Sequence, residues 1–160
     1  MGFKYFAFMV LFLFSSAFAG PSDWSQAEMD DTTIWLHKQN TDITGSLQSI
    51  KRDGPLDWTN IDRKNFYKDL EDRKKRSLSI IGVKNWTASE YKFETKDGIE
   101  SLEIKGSYID PSGVEVVFKE LHLFHSNETL QFLYTQPSSL SGNKNYEQEF
   151  FTFALAGAVK

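Results

Sequence analysis

From Trp86 to Thr135 the apolar residues of this 160-residue chain recur at every second position; in the segments on either side, Asn60 to Ile81 and Tyr146 to Ala156, they recur at every third or fourth. This change of period limits the possible folds more than any other feature. A period of two sends alternate side chains to opposite faces of a strand, whereas a period near 3.6 builds an apolar stripe along a helix. Tyr91 and Phe93 alternate with charged residues, Lys96-Asp97-Gly98 turns the chain, and Leu102, Ile104 and Tyr108 alternate again. Asp110-Pro111-Ser112-Gly113 is a second turn. Val114 to His125 follows as a strand, and Ser126-Asn127-Glu128 leads into Leu130 to Thr135, where Leu130, Phe132 and Tyr134 share a face. Between Phe118 and Leu121 the apolar phase slips by one, which predicts a β-bulge.

Two strands precede this meander. Thr32 to Gln39 is rich in β-branched and aromatic residues, Ile43 to Ile50 is a weaker strand, and Arg52-Asp53-Gly54-Pro55 closes the pair. A helix is predicted from about Asn60 to Ile81, with Thr59 as N-cap and Gly82 as the positive-φ residue after its end. Its core stripe is Phe66, Leu70, Lys74, Leu78 and Ile81, with the stem of Lys74 counted among the apolar groups. Pro137 to Asn145 is a polar loop, and Asn145 with Gln148 forms a capping-box pattern before a terminal helix from Tyr146 to about Ala156. Phe66, Leu70, Leu78, Phe132, Phe150 and Phe153 are the expected core. The fold class is therefore α+β: an antiparallel sheet of about six strands, one helix after the second strand, and a C-terminal helix, packed as an α/β sandwich. This order, with the Leu130–Thr135 strand running through a polar loop into a Phe-rich closing helix, resembles the PsbP-like α/β/α sandwich superfamily. The resemblance covers most of residues 32–157 and implies a noncatalytic binding or assembly role.

The first nineteen residues read as a cleavable signal peptide. Lys4 supplies the positive start, Phe6 to Phe14 is an unbroken apolar run, and Ala17-Phe18-Ala19 is a small-x-small site with cleavage before Gly20. Nine apolar residues fall short of the roughly 20 that a membrane-spanning helix needs. After cleavage no transmembrane segment is expected. Residues 20–31 then form a polar lead-in, extended or briefly helical, and residues 32–160 one domain. The processed chain of 141 residues carries 17 basic and 22 acidic side chains, a net charge of −5, which argues against nucleic-acid binding. The chain has no cysteine, although an exported protein is free to use disulfides. The expected location is periplasmic or secreted, in soluble form, and the absence of disulfides favours a bacterial envelope.

Catalytic chemistry finds no foothold. There is no Gly-x-Ser-x-Gly elbow, no thiol and no glycine-rich phosphate loop. His122 and His125 are three apart on a predicted strand and point to opposite faces, while His37 is remote, so no metal ligand set is assigned. Glu100, Glu103, Glu115 and Glu120 read as solvent-facing strand residues. No catalytic residue and no cofactor is assigned, and the balance is against an enzyme. Asn85-Trp86-Thr87 and Asn127-Glu128-Thr129 match the N-glycosylation triplet and sit near predicted turns.

The least expected feature is Arg73-Lys74-Lys75-Arg76, four consecutive cations in an acidic chain. Residues 62–84 hold eight basic and four acidic side chains. Cations near a helix C-terminus are favoured by its dipole, which is one account of the run. The other is a binding patch of Arg73, Lys75 and Arg76 for a protein or an anionic envelope component. The functional expectation is an exported noncatalytic binding or accessory protein of the cell envelope, an adaptor or assembly factor. The alternatives are a carrier, holding a small apolar ligand in a cavity lined by Trp35, Trp86, Tyr108 and Phe132, and a small exported enzyme. Mass spectrometry of the exported chain should find Gly20 at the N-terminus; a membrane-retained species beginning at Met1 would overturn the signal-peptide assignment.

Overall fold

A computed structural model describes residues 23–142 and 145–158; the expected signal peptide lies outside the described residues. Seven strands alternate with their turns in chain order: β1 (Trp24–Met29), β2 (Thr32–His37), β3 (Thr44–Lys51), β4 (Lys84–Lys96), β5 (Ile99–Ile109), β6 (Glu115–Phe124) and β7 (Glu128–Pro137). Helix α1 (Arg63–Ile80) joins β3 to β4, and α2 (Tyr146–Ala158) closes the chain after a short 3-10 turn at Ser138–Leu140. All seven strands form one antiparallel sheet in the order β1-β2-β3-β7-β6-β5-β4. The α+β class, the helix after the early strands and the terminal helix match the sequence expectation. The added strand is β1, which occupies the segment read as a lead-in and pairs Trp24–Met29 with Thr32–His37 around Asp30, a left-handed turn residue (φ 51°).

Local chemistry explains the helix ends. The N-cap is Asp62, not Thr59: its carboxylate accepts from the N–H groups of Lys64 and Asn65, at 2.9 and 3.2 Å. Thr59 belongs instead to a preceding turn, where its N–H reaches Asp57. At the other end Gly82 takes φ +86°. Gly82 N–H bonds to Ser79 O and Val83 N–H to Leu78 O, the paired bonds of a Schellman closure, with Val83 and Leu78 both packed on the core below.

The two helices cover opposite faces of the sheet, over different halves. On one face, α2 sets Phe150, Phe151 and Ala154 against Trp24, Trp35, Ile43, Phe132 and Tyr134. On the other, Tyr67 of α1 joins Trp86, Leu102, Ile104, Phe118 and Phe124, with Phe66, Leu70 and Leu78 packed at the edge. Of the expected core, Phe132 and Phe150 are fully buried, while Phe66, Leu70, Leu78 and Phe153 are half-buried. The expected bulge in β6 is absent: its register to β5 and β7 runs unbroken from Val116 to Phe124. The phase slip arises because β6 is central and apolar on both sides, Phe118 and Phe124 facing α1 while Leu121 and Leu123 face α2. The irregularities fall in edge strand β4, between Lys84 and Thr87 and between Ala88 and Glu90, where they blunt the exposed edge.

Phe150 is the keystone of the α2 core. Trp24, Trp35, Tyr134, Phe151 and Phe153 surround it at centroid distances of 5.1–6.0 Å. Gly45 lies directly beneath, and a Cβ there would come within 2.2 Å of the Phe150 ring. Phe150→Ala should cost about 3–5 kcal/mol in denaturant unfolding. Gly45→Ala should destabilise by roughly 1–3 kcal/mol through overpacking. Parental stability in both variants would show that α2 is not part of the core.

Candidate functional site

The four-cation run occupies the second half of α1, and the helix sends its members to different environments. Lys74 turns inward and its Nζ donates to Glu120 Oε2 on β6. Lys75 pairs with Glu71 one turn earlier at 2.8 Å and lies 5.9 Å over the Trp86 ring. Arg73 and Arg76 are exposed and form no ion pair among the described residues; Arg73 Nε donates only to the Asp69 carbonyl, at 3.3 Å. Being three apart, they share an outward face. The three residues of the sequence-derived patch thus divide, with Lys75 neutralised at the side and the two arginines presented together.

Beneath α1 lies a buried ionic cluster. Glu120 is fully buried, and its Oε1 accepts from Gln131 Nε2 at 2.8 Å while Oε2 takes Lys74. His122 Nε2 lies 2.6 Å from Oε1, in direct polar contact with the carboxylate. Burial pushes the Glu120 carboxyl up, but His122 and the Lys74 ammonium outweigh it and hold the group down at about 2. Glu100 is also buried. Arg63 Nε donates to its Oε1 at 2.6 Å and the Thr95 hydroxyl to Oε2, and the Arg63 contact keeps its carboxyl below the usual range. The solvent-facing reading is therefore wrong for Glu100 and Glu120, whereas Glu103 is half-buried and Glu115 exposed. Strand parity carried the signal: Glu120 falls in step with Phe118 and Phe124, Glu100 with Leu102 and Ile104, and Lys74 already sat within the apolar stripe.

This cluster is poor catalytic machinery. A general base works best with a pKa near the operating pH and an oxygen within reach of substrate. Glu120 is strongly ionised, and its oxygens are occupied by Lys74 and Gln131. The nearby Tyr67 phenol is pushed up to about 12, chiefly by burial. His37 is fully buried on the other face, where neither ring nitrogen has a hydrogen-bond partner among the described residues; it packs at 5.3 Å from Trp24 and 4.7 Å from Tyr146, each edge-to-face. His125 lies past the end of β6, and its carbonyl accepts from the Arg52 guanidinium. Among the described residues no three His, Asp or Glu side chains gather as metal ligands. Asn85 and Asn127 are both exposed. The four aromatics expected around a ligand cavity separate: Trp35 and Phe132 belong to the α2 core, Trp86 and Tyr108 to the α1 core, with the sheet between. Among the described residues no helix is long and apolar enough to cross a membrane.

The buried carboxylate makes stability sensitive to acid. The folded-state pKa of Glu120 lies below its ordinary value of 4.5, so its contribution is present above 4.5 and lost as pH falls toward about 2. Lys74→Met should cost about 3–5 kcal/mol at neutral pH, because it strands a buried charge. Lys74→Met/Glu120→Gln should recover much of that loss and flatten the acid limb. Denaturant unfolding between pH 7 and pH 2 checks this, and a harmless single variant would show that the pair is solvated.

No protein-family model matches the chain, and no curated protein matches it in sequence. Solved structures do. The chain is similar to the solution structure of cyanobacterial PsbP (CyanoP) from Synechocystis sp. PCC 6803, with a TM-score of 0.59 and 10% identity, over 86% of this chain and 81% of that one. It is also similar to a crystal structure of a protein of unknown function from Pseudomonas aeruginosa, with a TM-score of 0.51 and 4% identity, over 86% of this chain and 95% of the other. Seven antiparallel strands between α1 and α2 thus have the PsbP-like fold.

Proposed function

We propose that this chain is an exported, noncatalytic accessory protein of the cell envelope that docks on an anionic partner through the outer face of α1. The observation that carries the reading is the pair Arg73 and Arg76: exposed, side by side, and without an ion pair among the described residues of an acidic protein. Lys75 sits at the rim of this face. Planar guanidinium forks suit two-point contact with carboxylate or phosphate. The likeness to cyanobacterial PsbP supports an accessory role. The occupied state of Glu100 and Glu120 supports a noncatalytic one.

The test is capture of envelope components by the purified protein at low and moderate salt, comparing the parent with Arg73→Gln/Arg76→Gln. Parental binding should weaken steeply as salt rises, since exposed charges are screened within about 8 Å at physiological ionic strength. The double variant should lose that binding while unfolding at the parental midpoint. If it retains parental binding to every component captured, α1 is not the docking face.

A further inference from the structure

The arginine face ends in an apolar point. Ile80 is 84% exposed and Ile81 64%, the two most exposed large apolar side chains among the described residues. Ile80 follows Arg73 and Arg76 at the i+7 and i+4 positions, so one helix face carries two cations and then an uncovered isoleucine. The chain reverses at Gly82, and the exposed Lys84 begins β4 two residues later. The β5–β6 turn abuts this reversal, because the Pro111 ring lies 3.6 Å from where a Gly82 Cβ would stand. That turn adds Val114, 44% exposed. Asp110, the carboxylate on the same turn, is occupied by the Ser112 hydroxyl at 2.7 and 2.9 Å and by the Val114 N–H at 2.8 Å.

An acidic soluble protein would be met by the arginines alone and would leave the isoleucines unexplained. A bilayer with anionic headgroups uses both features. Cations gather at its negative surface, apolar side chains enter the headgroup–acyl boundary, and arginine stems lie along the insertion with their heads at phosphate level. We propose that the C-terminal end of α1 is a bilayer-docking tip: Ile80 and Ile81 enter the headgroup region of an anionic membrane while Arg73, Arg76 and Lys84 contact its phosphates. This rests on the α1 docking reading above and names its partner.

The test is co-sedimentation of the chain from Gly20 onward, which holds every described element, with phosphatidylcholine vesicles containing or lacking phosphatidylglycerol. Soluble glycerol phosphate serves as a competitor. The parent should bind only the anionic vesicles and resist the competitor. Ile80→Ser/Ile81→Ser should bind about tenfold more weakly or worse with an unchanged melting midpoint, since both side chains are already in water. Arg73→Gln/Arg76→Gln should lose binding by a similar factor. A parent that ignores anionic vesicles overturns the tip. So does an isoleucine variant that binds as the parent does, which leaves a purely electrostatic contact with the bilayer, or displacement by glycerol phosphate, which leaves a site for free phosphate; in both cases arginine-dependent docking survives and only the inserted tip falls. Loss of every arginine-dependent interaction would instead remove the docking reading itself.

Discussion

One geometric constraint organises the molecule: each face of a single sheet is covered by one helix, and the two helices lie over different halves. Strands β6 and β7 run through the overlap and are buried from both sides. Leu121 and Leu123 of β6 point to α2 while Phe118 and Phe124 point to α1, and Phe132 and Leu133 of β7 divide in the same way. Two separate cores result, and neither is joined by a disulfide, because the chain has no cysteine. Aromatic rings fill the volume instead. A tilted or edge-to-face pair adds about 0.5–1.5 kcal/mol beyond the area it buries, and Phe150 makes five such contacts with Trp24, Trp35, Tyr134, Phe151 and Phe153. Gly45 is required by that density, since no side chain fits between β3 and the Phe150 ring.

The α1 side is held differently. Only Tyr67 of the helix is fully buried, stacked 3.7 Å from Tyr91, and two ion pairs tie the rest. Arg63 meets Glu100 in the first turn and Lys74 meets Glu120 three turns later. A buried ion pair adds little net energy over well-packed apolar groups, because both charges must be desolvated. Its value here is positional. A thin apolar stripe can slide or rotate over a sheet, whereas Lys74 reaches Glu120 in one axial and rotational setting. That setting also fixes which cations face outward, so the buried chemistry determines the exposed surface.

Much of this was legible in the sequence. The period switch at Trp86 gave the meander, the Phe66–Leu78 spacing gave α1, and the capping-box pair reappears as Gln148 N–H on Asn145 Oδ1 at 3.1 Å. The misses have physical causes. Strand β1 has the sequence WSQAEM, too polar to show alternation, because it is an edge strand with one apolar anchor, Trp24. The β6 bulge was inferred from a phase slip that two-sided burial produces without any bulge. Glu100 and Glu120 read as solvated because carboxylates are rarely buried unpaired, and their partners, Arg63 and Lys74, lie 37 and 46 residues away. Within the cation run, helical geometry separated Lys74 from the arginines on paper. The pairing of Lys75 with Glu71 needed the side-chain conformations.

The distribution of compensated charge then decides which surface carries information. On the helix-free side of β4 and β5, Lys92 meets Glu94, Lys105 meets Glu90 and Glu103, and Lys119 bridges Glu103 to Glu147 of α2. Such a ladder, three lysines against four glutamates, is close to neutral with a slight negative excess: it keeps that face wet and blunts edge pairing. Around α1 the balance differs. Arg63, Lys68, Lys74 and Lys75 are cancelled by Glu100, Asp72, Glu120 and Glu71, which leaves Arg73, Arg76 and Lys84 uncancelled toward one end of the helix. Residues 62–84 carry a net +4 inside a chain that is negative overall. On the docking reading proposed above, such an asymmetry would turn the molecule α1 first toward an extended anionic surface, an orientation that salt would screen. Pairing therefore shapes the surface indirectly: with Lys74 held on buried Glu120 and Arg63 neutralised by buried Glu100, the unpaired cations at the C-terminal end of the helix are the ones beside Ile80 and Ile81.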